Sequence, residues 1–210
     1  IHRQRLVDRL SRRWSVAVTT LEAPSGFGKS TALAQCIKDN EARPAGYDVY
    51  ISCRRSHRDP MLLTAAIRSE FGRPALSGEL DHQELVDAWT GAISRFSPDA
   101  VCLHLDDLHL LSDSDSNLSG SDSNADGVVK LLADVVRQLP RNGHLVFAGR
   151  TLPRLPLARL LAADQAIAIQ ADDLAFTTEE VGQLADHHAG DVANLAPMHG
   201  WPAMTRLALA

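Results

Sequence analysis

Leu21-Glu22-Ala23-Pro24-Ser25-Gly26-Phe27-Gly28-Lys29-Ser30-Thr31 decides the fold of this 210-residue chain. It follows an apolar, β-branched run, Val16-Ala17-Val18-Thr19-Thr20, and leads into Ala32-Leu33-Ala34-Gln35-Cys36-Ile37, which reads as a helix. Strand, glycine-containing loop, Lys-Ser and helix, in that order, form the setting of a phosphate-binding P-loop, G-x-x-x-x-G-K-[ST]. Ala23 stands at the first glycine position, a small departure, and Gly28-Lys29-Ser30 completes the pattern. Gly26 and Gly28 lack a Cβ, so the backbone can take positive φ and approach a phosphate closely. The successive N–H groups of Ser25, Gly26, Phe27, Gly28 and Lys29 then face one concavity and form an anion nest. The helix that follows adds unpaired N–H groups and its dipole. Lys29 brings a full positive charge toward the β- and γ-phosphates, with Thr31 beside it. The Ser30 hydroxyl is a hard oxygen ligand suited to Mg²⁺.

A second informative stretch is Val101-Cys102-Leu103-His104-Leu105-Asp106-Asp107, an apolar strand ending in two carboxylates. In P-loop proteins such a strand, beside the P-loop strand, is the Walker B element. Asp106 would hold the Mg²⁺ shell opposite Ser30, and Asp107 would orient water or act as a general base. Two adjacent carboxylates repel one another, and Mg²⁺ would relieve that repulsion. His104 and His109 read as structural or rim histidines. A third stretch, His144-Leu145-Val146-Phe147-Ala148-Gly149, is a strand with Arg150 just past its end. Carboxyl ends of parallel strands are where α/β sheets bind ligands, and an arginine there can reach a γ-phosphate.

Further strands are predicted at 15–21, 48–52 and 166–170, and helices at 29–40, 61–71, 81–96, 128–139, 157–161, 179–188, 191–195 and 203–209. Asp59-Pro60 gives an N-cap and a first-turn proline, and Thr177 with Glu180 gives a capping box. Residues 1–14 carry Leu6, Val7 and Leu10 at helical spacing, surrounded by Arg3, Arg5, Arg9, Arg12 and Arg13. These arginines read as a solvated face, with one of them near a ligand as the alternative. Residues 112–127 are acidic and of low complexity and read as a disordered insertion. The expected fold is α/β: a five-stranded parallel sheet between helices over residues 1–171, then the start of a small helical lid over 172–210.

The composition is that of a globular protein: 45% hydrophobic, 22% charged, net charge −5. With no basic run, the chain is a poor candidate for binding nucleic acid by itself. Cys36, Cys53 and Cys102 are widely spaced and read as reduced core thiols. No apolar stretch approaches the ~20 residues of a membrane helix, and no leader peptide is visible, so a cytoplasmic location without membrane contact is expected. The chain opens on Ile1 and stops inside an apolar helical pattern, as a fragment of a longer protein would.

The ordered set Ala23–Gln35, Leu105–Leu111, Leu145–Arg150, Leu155–Leu160, Ala171–Thr177 and Gly200–Ala203 resembles the nucleotide-binding domain of STAND ATPases. It is most similar to that of the large ATP-binding LuxR-type transcriptional regulators, such as the activator of the maltose regulon. The resemblance implies ATP or ADP with Mg²⁺ as ligands. It makes Lys29, Ser30 and Thr31 phosphate and metal binders, Asp106 the Mg²⁺-side acid, Asp107 the hydrolytic acid and Arg150 a γ-phosphate sensor. It places Pro202 of Gly-Trp-Pro on the adenine and the 1–5 segment near the base. Gly149 stands where serine is more usual. The resemblance also implies a slow ATPase serving as a switch, self-associating when ATP-bound in the full-length protein. DNA would be reached only through a domain absent here. The alternatives are an AAA+-type motor ATPase or small-molecule kinase, and a non-catalytic scaffold that holds a nucleotide.

Overall fold

A computed structural model of the chain describes residues 1–74, 78, 80–112, 123–188 and 198–209. Its centre is a parallel sheet of β1 (Val18–Glu22), β2 (Tyr47–Ser52), β3 (Val101–Asp106), β4 (Gly143–Gly149) and β5 (Ala166–Ile169). Their order across the sheet is β2-β3-β4-β1-β5. The registers Ile51↔Leu105, Leu105↔Phe147 and Thr20↔Phe147 align the carboxyl ends of the four strands that face the loop after β1.

Side chains alternate between the two faces as the pleat requires. Val18, Leu103, Leu105, Leu145 and Phe147 point to one face, against α3 (Pro60–Glu70), α4 (His82–Ser94) and α5 (Ser123–Arg137). Leu21, Cys102, Val146, Ala148 and Ile169 point to the other, against α1 (Gln4–Ser11) and α2 (Lys29–Ala42). Full burial of a residue such as Phe147 is worth about 1.5–3 kcal/mol, so the central strands anchor the loops at their ends. Trp89 is also fully buried, and its indole N–H donates to Thr64 Oγ1 at 2.8 Å.

The predicted caps form. Asp59 accepts from Met61 N at 2.8 Å at the start of α3, and Pro60 occupies the first turn. Asp81, expected inside the helix, is instead its N-cap and closes an unpredicted capping box with Glu84 on α4. After α6 (Ala158–Ala162) and β5 come α7 (Ala171–Leu174), α8 (Thr178–His188) and α9 (Pro202–Leu207). Thr177 and Glu180 close the box that opens α8. The three cysteines are free and buried.

The structure corrects the sequence reading at four places. First, β3 does not lie beside β1; β4 separates them, and β2 is an edge strand. Second, β1 starts at Val18, because residues 12–15 form a tight 3₁₀ turn that carries Arg13 into the interior. Third, the arginines of the first segment do not form one solvated face, although Arg5 and Arg12 are exposed. Arg3 and Arg13 are buried, and Arg5 and Arg9 pair with α7 and α8. Their partners lie more than a hundred residues away or on another strand, so helical periodicity alone does not reveal them. Fourth, α5 begins at Ser123 and takes in residues 123–127, because Ala125 and Val128 are buried on the core side and extend its apolar stripe. The rest of the 112–127 insertion beyond Ser112, and the helix expected at 191–195, lie outside the described residues.

Candidate functional site

The loop between β1 and α2 turns on two glycines with positive φ, Gly26 at 81° and Gly28 at 79°. Gly28 is the N-cap of α2 and offers no side-chain cap, so the first N–H groups of a fourteen-residue helix are left for an external acceptor. Gly26 has a second constraint. A Cβ there would lie 2.7 Å from Ala203 Cβ and 2.9 Å from Trp201 Nε1. Ala203 N donates to Gly26 O at 3.0 Å, and Trp201 Nε1 donates to Ser25 O at 3.2 Å. The loop is thus stitched to the start of α9. Phe27 stacks on Trp201 at 6.1 Å.

Two adjoining cavities open around this loop. One, of about 230 Å³, is lined by Ser25, Gly26, Gly28, Lys29, Ser30, Thr31, Asp107 and Arg150. It gathers residues from the loop, from the turn after β3 and from the end of β4. The other, of about 240 Å³, is lined by Ile1, Arg3, Gly26, Gly28, Thr31, Phe176, Leu184, Pro202, Ala203 and Arg206. The first is polar and holds two cations; the second is largely apolar. Gly26, Gly28 and Thr31 belong to both, so the two form one continuous site. Of the residues singled out in the sequence, Phe27 and Asp106 line neither cavity. Phe27 is taken up by Trp201, and Asp106 lies buried behind Asp107.

Lys29 is buried, and its ammonium donates to Ala23 O at 2.6 Å and Pro24 O at 3.0 Å. Burial lowers its pKa, while Asp106 and Asp107 pull in the other direction. Asp107 sits in the left-handed region with φ 55°, which turns it out of line with β3. Asp106 is fully buried; its Oδ1 accepts from Asp107 N at 2.8 Å and its Oδ2 from the Tyr50 hydroxyl at 2.8 Å. His109 Nδ1 lies 3.9 Å from Asp107 Oδ1, at the rim of the site. Gly149 fits the crowding at the end of β4: a Cβ would come within 2.9 Å of Thr151 O and 3.2 Å of His109 N.

The residues fit a nucleotide with a hard divalent cation. The nest, Lys29 and Arg150 are complementary to phosphates, the apolar cavity accepts a flat base, and Ser30 and Asp106 offer oxygen donors. Three groups of residues were missed from sequence. Tyr50 on β2 is one. The contacts of Arg3, a residue expected near a ligand only as an alternative, are another: its Nη2 donates to Ala175 O at 2.9 Å and to Glu180 Oε2 at 3.1 Å, and its guanidinium covers the Phe176 ring at 4.6 Å. Arg5 donates to Asp173 O at 2.8 Å and to Ala175 O at 3.1 Å, and Arg9 pairs with Asp173. The third is the buried set Arg13, Asp48 and His104. Arg13 Nη2 donates to Asp48 Oδ2 at 2.8 Å, and His104 Nε2 meets Asp48 Oδ1 at 2.6 Å. Asp48, His104 and Cys102 lie close enough to suggest a metal site, but the Arg13 guanidinium already supplies the cation there.

The chain is similar to known proteins in sequence and in fold. The HTH-type transcriptional regulator MalT of Yersinia pestis is 28% identical over 188 residues, covering 86% of this chain and 19% of that protein. The MalT of Yersinia enterocolitica is 26% identical over 219 residues, covering 98% and 23%. In sequence the chain is similar to these MalT regulators along most of its length. It spans about a fifth of the length of these relatives. No family model matches it. Among solved structures, the Aeropyrum pernix ORC1 protein in complex with DNA superposes with a TM-score of 0.61 at 17% identity, over 99% of this chain and 57% of that one. Cdc6p from Pyrobaculum aerophilum superposes with a TM-score of 0.58 at 17% identity, over 99% and 59%. These likenesses establish the P-loop NTPase fold. Among the described residues, no helix is long and apolar enough to cross a membrane.

Proposed function

We propose that the chain is the ATP/ADP-binding switch domain of a signal-responsive bacterial transcriptional regulator, with slow, Mg²⁺-dependent hydrolysis. The observation that carries this reading is the pair of adjoining cavities, one polar and one apolar, that share Gly26, Gly28 and Thr31. In this reading the loop N–H groups and Lys29 bind the β- and γ-phosphates, and Lys29 leaves the carbonyls of Ala23 and Pro24 to do so. Ser30 and Asp106 hold Mg²⁺, which supplies charge neutralisation on the phosphates when bound. Asp107 orients the attacking water, and Arg150 contacts the γ-phosphate. Pro202, Phe176 and Ile1 enclose the base. The convergence of Asp107, Lys29 and Arg150 on one cavity supports hydrolysis over a purely structural nucleotide.

The segment after Ala171 acts as the lid in this account, and the first residues of the chain clamp it. Arg3, Arg5 and Arg9 reach α7 and α8 through Glu180, Asp173 and the Ala175 carbonyl. Burial pushes the Glu180 carboxyl up, but Arg3, Thr177 N–H and Arg5 outweigh it and hold the carboxyl below its ordinary range. A resident ADP would be enclosed by this clamp, and exchange for ATP would require it to open. Self-association in the ATP state and DNA contact through other parts of the full protein complete the proposal.

Glu180→Gln keeps the shape of the clamp and removes its charge. Hydrogen bonds to charged groups contribute about 1.5–3 kcal/mol, so release of a fluorescent ADP analogue should speed up by about 10–100-fold. An unchanged release rate, measured by stopped-flow fluorescence, would show that the arginine clamp does not retain nucleotide.

A further inference from the structure

The carboxylate of Asp106 is held from two sides by donors on independent elements. Asp107 N–H, in the turn after β3, donates to Oδ1, and the Tyr50 hydroxyl, on the edge strand β2, donates to Oδ2, both at 2.8 Å. The pairing of β2 with β3 sets this up. Tyr50 stands opposite His104 and Ser52 opposite Asp106, so Tyr50 lies on the same face as Asp106, one diagonal step away. Only a long side chain with a terminal donor covers that step. Asp106 is fully buried, so water does not replace a missing donor. A carboxylate torsion is otherwise broad, and one donor on each oxygen fixes its plane while leaving each oxygen a free lone pair. Packing does not account for the hydroxyl: the Tyr50 side chain is 39% exposed, and a phenylalanine would fill the same space.

We infer that Tyr50 is a positioning residue for the metal-side carboxylate, its hydroxyl fixing the plane in which Asp106 meets a divalent cation beside the phosphates. This rests on the nucleotide reading above. Partners that orient metal ligands typically change metal affinity by about 10–100-fold when removed. The effect belongs to the metal and not to the nucleotide, because Tyr50 lines neither cavity.

The test is an Mn²⁺ titration of the ADP-saturated chain, with free Mn²⁺ read by electron paramagnetic resonance, on wild type and Tyr50→Phe. ADP affinity is measured in parallel in EDTA. The expected result is Mn²⁺ binding at least tenfold weaker in Tyr50→Phe, with ADP affinity in EDTA within twofold of wild type. Equal Mn²⁺ affinity overturns the inference. So does an equal loss of ADP and Mn²⁺ binding, which marks a merely structural hydroxyl. A wild-type chain that takes up no ADP, with or without metal, removes the nucleotide reading itself and is told apart in the same experiment. Should Tyr50→Phe not fold, Tyr47→Phe leaves Tyr50 as the only tyrosine. Its ultraviolet resonance Raman doublet should then change when Mg²⁺ is added to the ADP complex, and an unmoved doublet overturns the inference.

Discussion

Asp48→Ala should cost the chain about 3–5 kcal/mol, the range seen when one member of a buried ion pair is removed. Asp48 is the sole carboxylate hydrogen-bonded to Arg13 among the described residues, and both side chains are almost fully buried. Arg13 bonds both Asp48 oxygens, and Oδ1 also meets His104, which is fully buried. Truncation strands a guanidinium in the interior between α1, α2 and the sheet. For a domain of this size the loss is about 6–20 °C in Tm. Replacing the pair together, as Arg13→Met with Asp48→Leu, should recover most of it, because an apolar pair leaves no buried charge. Thermal unfolding of the three chains checks this; a drop under about 1 kcal/mol for Asp48→Ala would mean that the pair is solvated. The pH dependence has a definite sign. Burial pushes the Asp48 carboxyl up, but hydrogen bonds from His104 and Arg13 outweigh burial and hold it below the ordinary carboxylate range. Its contribution is therefore complete above the unfolded value near ~4 and is lost as pH falls through the lower, folded value.

Asp107→Asn should slow hydrolysis by about 10²–10⁴-fold while nucleotide binding survives, the range expected for a positioned acid–base group. The substitution is suited to the site. Asp107 has φ 55°, and asparagine tolerates that left-handed conformation as readily as aspartate does. Its backbone N–H still donates to Asp106 Oδ1, so the metal-side acid stays in place. What is lost is a negative charge in the cavity shared with Lys29 and Arg150, the charge that orients water in the proposed mechanism. Single-turnover phosphate release reads the chemical step, and binding of a fluorescent ADP analogue reads the site. Hydrolysis within threefold of wild type would assign the water-orienting role elsewhere, with His109, 3.9 Å away, the next group to test.

What was legible in the sequence was local. The run Ala23–Thr31 has glycine, lysine and serine at fixed offsets, each needed by the geometry of one loop, and the loop forms as that pattern predicts. The apolar runs at 101–106 and 143–149 become interior strands, each interrupted before Asp106 and Arg150 only by one buried histidine, His104 and His144. Capping signals at Asp59 and Thr177 concern residues two or three apart, and both operate. What could not be read was pairing at a distance. Strand order depends on which faces are covered, not on sequence order, and so β4 came between β1 and β3. Arg3 looked like one more surface arginine until Glu180, 177 residues away, was placed against it. Tyr50 gave no signal, because its role depends on lying one diagonal step from Asp106 across two strands. Of the site residues read from the sequence, Ser25, Gly26, Gly28, Lys29, Ser30, Thr31, Asp107 and Arg150 line the polar cavity, whereas Phe27 and Asp106 line neither cavity; on the apolar cavity the reading reached Pro202 and the opening residues of the chain.

The most direct test of the central claim is thermal unfolding of the wild-type chain and of Lys29→Ala, each alone, with Mg-ADP and with Mg-ATP. A ligand at about a hundred times its Kd adds roughly 2.7 kcal/mol, a rise of about 5–10 °C for a chain of this length. The account predicts that rise in wild type with at least one nucleotide and its loss in Lys29→Ala. It also predicts that Lys29→Ala without nucleotide unfolds no more than a few degrees below wild type, since burial of the Lys29 ammonium offsets its two hydrogen bonds. An equal rise in both chains, or no rise in wild type at millimolar nucleotide, would contradict it.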